Sequence, residues 1–243
     1  MLDHDDAPTP DVLAALPIFP LPNVVFFPGM ILPLNVFEER YIELVDHVLD
    51  GGQHIGVPLL VRPEDASRNR PPFERVFGLG RLVAHHRLSD GRRLIQLKGL
   101  GRVREIQELV PSHRFREVRV EVLPEPPTFD GDQFDQMLAQ VERMAMAFHD
   151  EERDLIDSVL RIDDRRVSIY ALTALLPNIE VLQAVEASRG EAIGCRSCPM
   201  LDFQQSCLEA GSLGERVALL TRRTALWLRT LDGDGLLSAD TAH

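Results

Sequence analysis

The sequence predicts an α+β protein, β-rich over residues 16–123 and helical over residues 124–232. Three observations lead there: an apolar opening broken repeatedly by proline, a series of alternating runs punctuated by glycine up to residue 122, and a change to helical periodicity after "LPEPPTFDGD" (123–132).

The opening stretch, "LPIFPLPNVVFFPGMILPLNVFEERY" (16–41), sets five prolines and four phenylalanines among branched aliphatics. Proline donates no backbone hydrogen bond, so in sheets it belongs at strand beginnings, edges and bulges. "LPIFPLP" therefore reads as a short edge strand with Ile18 and Phe19 on opposite faces, and "NVVFFPGM" runs into a turn at Pro28-Gly29. "ILPLNVF" is a second short strand. So much apolar surface must be covered, and the segment is expected to wrap across a barrel or a strongly bent sheet. "EERYIELVDHVLDGG" is a helix: Tyr41, Leu44, Val45, Val48 and Leu49 share one face, Glu38 and Glu39 suit its N-terminal dipole, and Gly51-Gly52 stops it.

Strands follow in "HIGVPLLV", "FGLGRLVAHHRL", "RRLIQLKGLGRVREIQEL" and "FREVRVEVLPE", with a hairpin turn at "SDGR" (89–92). The alternation of "REVRVEV" implies one buried and one wet face. The echo "GLGR" at 78 and 99 reads as glycines at bends of a curved sheet. Beyond the linker, Phe134, Met137, Leu138, Val141, Met144, Ala145 and Phe148 form a helical stripe; "RRVSIYALTALL", "IEVLQAVEAS" and "LGERVALLTRRTALWLRTL" are three further helical segments. Residues 1–15, acidic and Pro-containing, read as a disordered tail, and 233–243 as a loose one.

Composition narrows the function. The chain is 44% hydrophobic and 26% charged, and no apolar run reaches the ~18 residues of a membrane span, so no membrane partner is expected. The start is unlike a signal peptide, and three cysteines do not make a disulfide framework; a cytoplasmic location is the expectation. Net charge is −12, yet residues 62–119 hold fourteen Arg and Lys against seven Asp and Glu. Lys98 is the single lysine. It lies in "LIQLKGLGR", which is neither a phosphate-binding loop nor the setting of a Ser-Lys dyad, and neither Gly-x-Ser-x-Gly nor His-Glu-x-x-His occurs. No catalytic residue, no cofactor and no enzymatic activity are expected. No metal ligand is assigned either. Cys195, Cys198 and Cys207 lack a fourth partner close in sequence, and the adjacent His85 and His86 point to opposite faces of a strand.

The motifs Phe19-Pro20-Leu21-Pro22-Asn23, Phe27-Pro28-Gly29, Leu32-Pro33-Leu34 and Phe37-Glu38-Glu39-Arg40-Tyr41 occur in the order and spacing that open the Lon protease amino-terminal (substrate-binding) domain. Gly78-Leu79-Gly80, Gly99-Leu100-Gly101-Arg102 and "FREVRVEVLPE" continue the likeness, and "FQQSCLEAGSLGERVALL" is similar to the family's helical closing pattern. The resemblance implies a PUA-like β-barrel carrying one helix over 16–123, then a helical bundle over 124–232, as a stand-alone member without ATPase or protease domains. It also implies a non-catalytic module that binds unfolded or exposed polypeptide segments, as an adaptor in protein quality control with a protease or chaperone as partner. Pro22, Asn23, Val24, Phe26, Phe27, Phe37 and Tyr41 are the candidate binding residues; the alternative for the large apolar ones is that they fill the core. An RNA-binding PUA-like protein is the competing reading. It draws on the arginines of residues 62–119, but Phe73, Phe77 and Phe115 are the only aromatics there to stack on bases.

Overall fold

A computed structural model describes residues 7–126, 129–187 and 199–231. Its elements are α1 (Pro10–Ala14), β1 (Leu16–Ile18), β2 (Ile31–Val36), α2 (Glu39–Asp50), β3 (His54–Val57), β4 (Val76–Arg87), β5 (Arg93–Glu108), β6 (Arg116–Val122), α3 (Gly131–Ala145), α4 (Asp150–Leu160), α5 (Arg165–Ala187), α6 (Pro199–Glu209) and α7 (Leu213–Leu231). They fall into two compact units. The first takes the chain up to Pro124 and includes α6; the second holds α3, α4, α5 and α7.

In the first unit the strands run in the order β2-β5-β4-β3-β1-β6, and β5 pairs with β6 as well. The length of β5 makes this possible. Residues 93–98 pair with β2 and residues 103–108 with β6, while β4 lines its other side from Arg93 to Arg104. The ring β5-β4-β3-β1-β6 therefore closes, and β2 is left as an edge strand. The expected edge strand at "LPI" is instead interior: β1 pairs parallel to β3 and antiparallel to β6. Pro17 is tolerated because the strand has three residues and its register with β3 is the single pair Ile18↔Gly56.

Two apolar clusters support this unit. Leu16, Ile18, Phe77, Leu79, Val103, Val118 and Val120 form one. The other joins Tyr41, Leu44, Val45 and Val48 of α2 to Phe19, Phe26, Leu32, Val36, Ile95, Leu97 and Phe115. Ile18 and Phe19 thus serve different clusters, as strand alternation predicts. The proline-rich passage between β1 and β2 crosses the sheet over glycines. A Cβ at Gly78 would lie 2.1 Å from the Phe26 carbonyl oxygen, and one at Gly99 2.1 Å from that of Phe27. Gly29 N–H donates to Gly99 O (2.9 Å) and Gly99 N–H to Met30 O (2.8 Å). A register irregularity does fall at Leu79/Gly80. Even so, Gly78 and Gly99 are small chiefly because another backbone lies on them, and bending of the sheet is secondary.

Two further differences concern helices. Pro10–Ala14, read above as part of a disordered tail, is a helix whose first turn is capped by Thr9, accepting from Val12 N–H at 3.4 Å. Its Val12 and Leu13 pack on the first cluster. Helix α6, placed by the sequence reading with the helical half, is tied to the strands. Gln205 donates to Val76 O (2.9 Å), and the buried Arg102 donates to Leu208 O (2.8 Å).

In the second unit Phe134, Met137, Val141, Met144 and Ala145 form the buried face of α3, and Phe148 beyond its end packs on Trp227 at 4.9 Å between ring centroids. Two of the expected helical segments merge into α5. Helix α4, not expected from periodicity, buries Ile156 alone and opens with Asp150, Glu151 and Glu152 at its positive end. Arg216 is fully buried, paired with Glu125 and lying 5.0 Å over the Tyr170 ring; the Tyr170 hydroxyl donates to the same carboxylate at 2.7 Å. Cys195, Cys198 and the 233–243 tail lie outside the described residues.

Candidate functional site

Strand β2 alternates cleanly. Leu32 and Val36 point inward and are buried, while Ile31, Pro33 and Asn35 point outward. The next residue, Phe37, is 66% exposed and Ile31 is 52% exposed. On β5, the neighbouring strand, Leu94 stands opposite Asn35 and is 42% exposed, and Val83 of β4, one strand further on, is 49% exposed. Large apolar side chains thus line the outward face at a sheet edge. Among the described residues no strand pairs with the free side of β2.

The end of this strand is held in place by a buried fork. Arg93, opposite Val36, donates from Nε and Nη2 to Asp46 of α2 at 3.0–3.2 Å and from Nη1 to Gly91 O at 2.6 Å. That ties α2 to the β4–β5 hairpin and so fixes where the chain leaves β2 at Phe37. Tyr41 lies beneath, stacked on Phe19 at 4.0 Å, with the Arg40 guanidinium 4.6 Å over its ring. Burial pushes its phenol above the ordinary tyrosine range, so it stays neutral. Its role is support.

A concavity of about 370 Å³ lies beside Pro22. Leu59, Leu60 and Leu201 form its floor, and Glu64, Glu74, Asp202 and Glu209 line its rim. Burial, reinforced by Glu209 and Asp202, holds the Glu74 carboxyl above its usual range.

The seven candidate residues do not share one surface. Phe26, Phe27 and Tyr41 are interior, Pro22 lines the acidic-rimmed groove, Asn23 is exposed, Val24 is half-buried, and Phe37 is the exposed residue just after β2. Phe26 and Phe27 are out of a ligand's reach in this conformation. Sequence reasoning missed Ile31, Val83 and Leu94. The alternation of "ILPLNVF" carries the signal for Ile31, while Leu94 becomes a neighbour of β2 only through pairing and Val83 lies at an irregularity of β4 that local pattern does not announce.

The arginines of residues 62–119 are largely engaged with carboxylates. Arg62 and Arg68 face Asp65, Arg70 and Arg116 face Glu108, Arg75 faces Glu105, Arg104 faces Glu121 and Arg114 faces Glu39. The Arg116 hydrogen bond holds Glu108 below the usual carboxylate range.

The closed strand ring with α2 against it, followed by helices, coincides with a family match. A model of the ATP-dependent protease La (LON) substrate-binding domain matches residues 15–186. The chain belongs to this family. Among its relatives, the Lon protease of Flavobacterium johnsoniae is 27% identical over 145 residues, 59% of this chain and 18% of that protein. The Lon protease of Trichlorobacter lovleyi is 35% identical over 119 residues, 48% of this chain and 14% of that protein. The chain therefore spans less than a fifth of either relative. The N-terminal domain of the Mycobacterium avium complex Lon protease superposes with a TM-score of 0.58 at 16% identity, covering 87% of this chain and 98% of that domain. At that identity the likeness speaks for the fold alone. The resemblance carried by the opening motifs is thus borne out, as is the α+β class. No helix among the described residues is long and apolar enough to cross a membrane.

Proposed function

We propose that the strand-rich unit binds unfolded or exposed polypeptide segments along the free edge of β2. The carrying observation is that edge itself: a strand side unpaired among the described residues and flanked by the exposed Ile31, Phe37 and Leu94. An incoming extended segment gains main-chain hydrogen bonds from β2 and sets alternate side chains on the apolar outward face. Exposed apolar residues gathered at an open edge invite association with another chain, which a monomer without such a role would block. Membership in the substrate-binding domain family supports the same reading. On this proposal the unit recognises polypeptide rather than performing chemistry, in the cytoplasm, within a protease- or chaperone-linked pathway. The closed strand ring supports describing it as a PUA-like barrel. Pro22, Asn23 and Val24 are assigned to a flanking contact, because Pro22 lines a groove of its own.

Weighing against the competing RNA reading, most of the arginines that would track phosphates face carboxylates of the same unit. The test is fluorescence anisotropy with a labelled, apolar, unfolded peptide and a labelled RNA across a salt series, on the parent chain and on I31K/F37D. Peptide binding should persist at moderate salt, because burial drives it, and should fall at least tenfold in the double variant. RNA binding should be weak and vanish with salt. The same preparation should hydrolyse neither ATP nor casein. Tight, salt-sensitive RNA binding that disappears in R87A/R119A, or peptide binding indifferent to I31K/F37D, overturns the proposal.

A further inference from the structure

Away from the β2 edge, the exposed face of α2 meets the loop that joins β5 to β6. We propose that His47, His113 and Glu117 there form a site for one divalent transition-metal ion of the zinc class. Each offers a ligand atom, and the three atoms lie within 4.8 Å of one another. His113 Nε2 stands 4.0 Å from a Glu117 oxygen, and the His47 and His113 rings are 4.9 Å apart. Zinc bonds of about 2.0–2.2 Å put tetrahedral ligands about 3.4 Å from each other, so the cluster must contract by roughly 1.4 Å. His47 is exposed, and a change of its rotamer away from the His113 and Phe115 rings must supply most of that.

The surroundings are those of a ligand set. Glu43 Oε1 lies 3.5 Å from His113 Nδ1. With Nδ1 on the side of that carboxylate, Nε2 is the ring nitrogen left to face Glu117. Phe115 stacks on the His113 ring at 4.6 Å with a 4° tilt and holds its plane. Ser112 Oγ donates to Glu117 Oε2 at 3.0 Å, which orients the carboxylate. Arg114 is paired with Glu39 and Glu43, and Asp50 lines the same concavity, which favours a cation further. Two imidazoles and one carboxylate select zinc-class ions over magnesium or calcium and leave a fourth position for water or a partner's side chain. Sequence reading assigned no metal because His47 and His113 belong to distant elements.

Bound there, the ion clamps the loop around residues 109–115 to α2. That loop, with Val110, Pro111 and His113, forms one wall of a cavity of about 440 Å³. The ion therefore decides how rigid that wall is.

The test uses the untagged full chain carrying Cys195→Ser and Cys198→Ser, since thiolates would bind zinc by themselves. Zinc chloride is titrated calorimetrically after chelator treatment, with circular dichroism to confirm each fold. One equivalent should bind, His47→Ala and His113→Ala should each weaken it at least tenfold, and Glu43→Gln should weaken it roughly tenfold through lost orientation. His85→Ala/His86→Ala should leave it unchanged, and hydrogen exchange across residues 109–117 should slow with zinc. Absence of binding, binding that survives His47→Ala and His113→Ala, or equal binding of magnesium overturns the site.

Discussion

Replacing Gly78 with alanine tests why the opening stretch and the paired glycines of this chain belong together. The added methyl would lie 2.1 Å from the Phe26 carbonyl oxygen and 2.9 Å from its carbon. An ordinary carbon–oxygen contact sits at about 3.3 Å, so the crossing backbone must retreat by about 1.2 Å. Backbone cannot swing aside as a side-chain tip can, and the retreat drags Phe26, fully buried in the α2 cluster, off its neighbours. Overpacking of this kind costs about 1–3 kcal/mol, and the rigid obstacle places Gly78→Ala near 3 kcal/mol. Gly99→Ala should match it, since its methyl meets the Phe27 carbonyl at the same 2.1 Å and disturbs the two hydrogen bonds to Gly29 and Met30. Gly101→Ala is the internal control, with nothing within 4 Å of its methyl. It should be neutral or stabilise by up to about 1 kcal/mol through the unfolded chain. Trp227 belongs to the second unit, so its fluorescence does not report on this one. Hydrogen exchange by mass spectrometry on peptides from β4 and β5 does. Opening constants for Gly78→Ala and Gly99→Ala should rise about a hundredfold, at about 1.4 kcal/mol per factor of ten. If Gly78→Ala is as mild as Gly101→Ala, the crossing backbone does not rest on the glycine and the reasoning fails.

Arg216→Ala leaves Glu125 and Tyr170 without the buried guanidinium, so urea denaturation followed by Trp227 fluorescence should show a loss of about 3–5 kcal/mol. Glu74 has a folded pKa above its ordinary 4.5, so the folded state favours its protonated form; Glu74→Gln should stabilise at neutral pH. That gain should shrink as pH falls through the raised folded value and disappear below about 4.5, which a denaturation series from pH 4 to 8 would measure; a gain independent of pH would contradict it.

Much of the fold was legible from residue order. Helix α2 follows from the spacing of Tyr41, Leu44, Val45 and Val48, the hairpin from Asp90-Gly91, where Gly91 has φ 91°, and the stripe of α3 from Phe134 onward. The misreadings share a cause. "LPI" looked like an edge because proline disfavours interior strands, yet its place between β3 and β6 is decided by ring closure. Helix α1 and helix α6 were assigned by their position along the chain, whereas Val12, Gln205 and Leu208 find their partners on strands far away in sequence.

The candidate sites divide along the same line. Local rules act over a few residues, so the sequence by itself determined which side chains of β2 share a face and that Phe37 follows them. It also determined that no phosphate-binding loop surrounds Lys98. Which edge stays open depends on β5 being long enough to hold β2 and β6 end to end, a pairing energy summed over the whole sheet. Phe26 and Phe27 look like a binding motif in sequence and are core residues in space, because two glycines on β4 and β5 let their backbone lie flat. His47 and His113 carry no mutual signal at all until α2 packs beside the β5–β6 loop. Only tertiary packing brings such groups within a few ångströms, because no local rule couples residues so far apart in the chain.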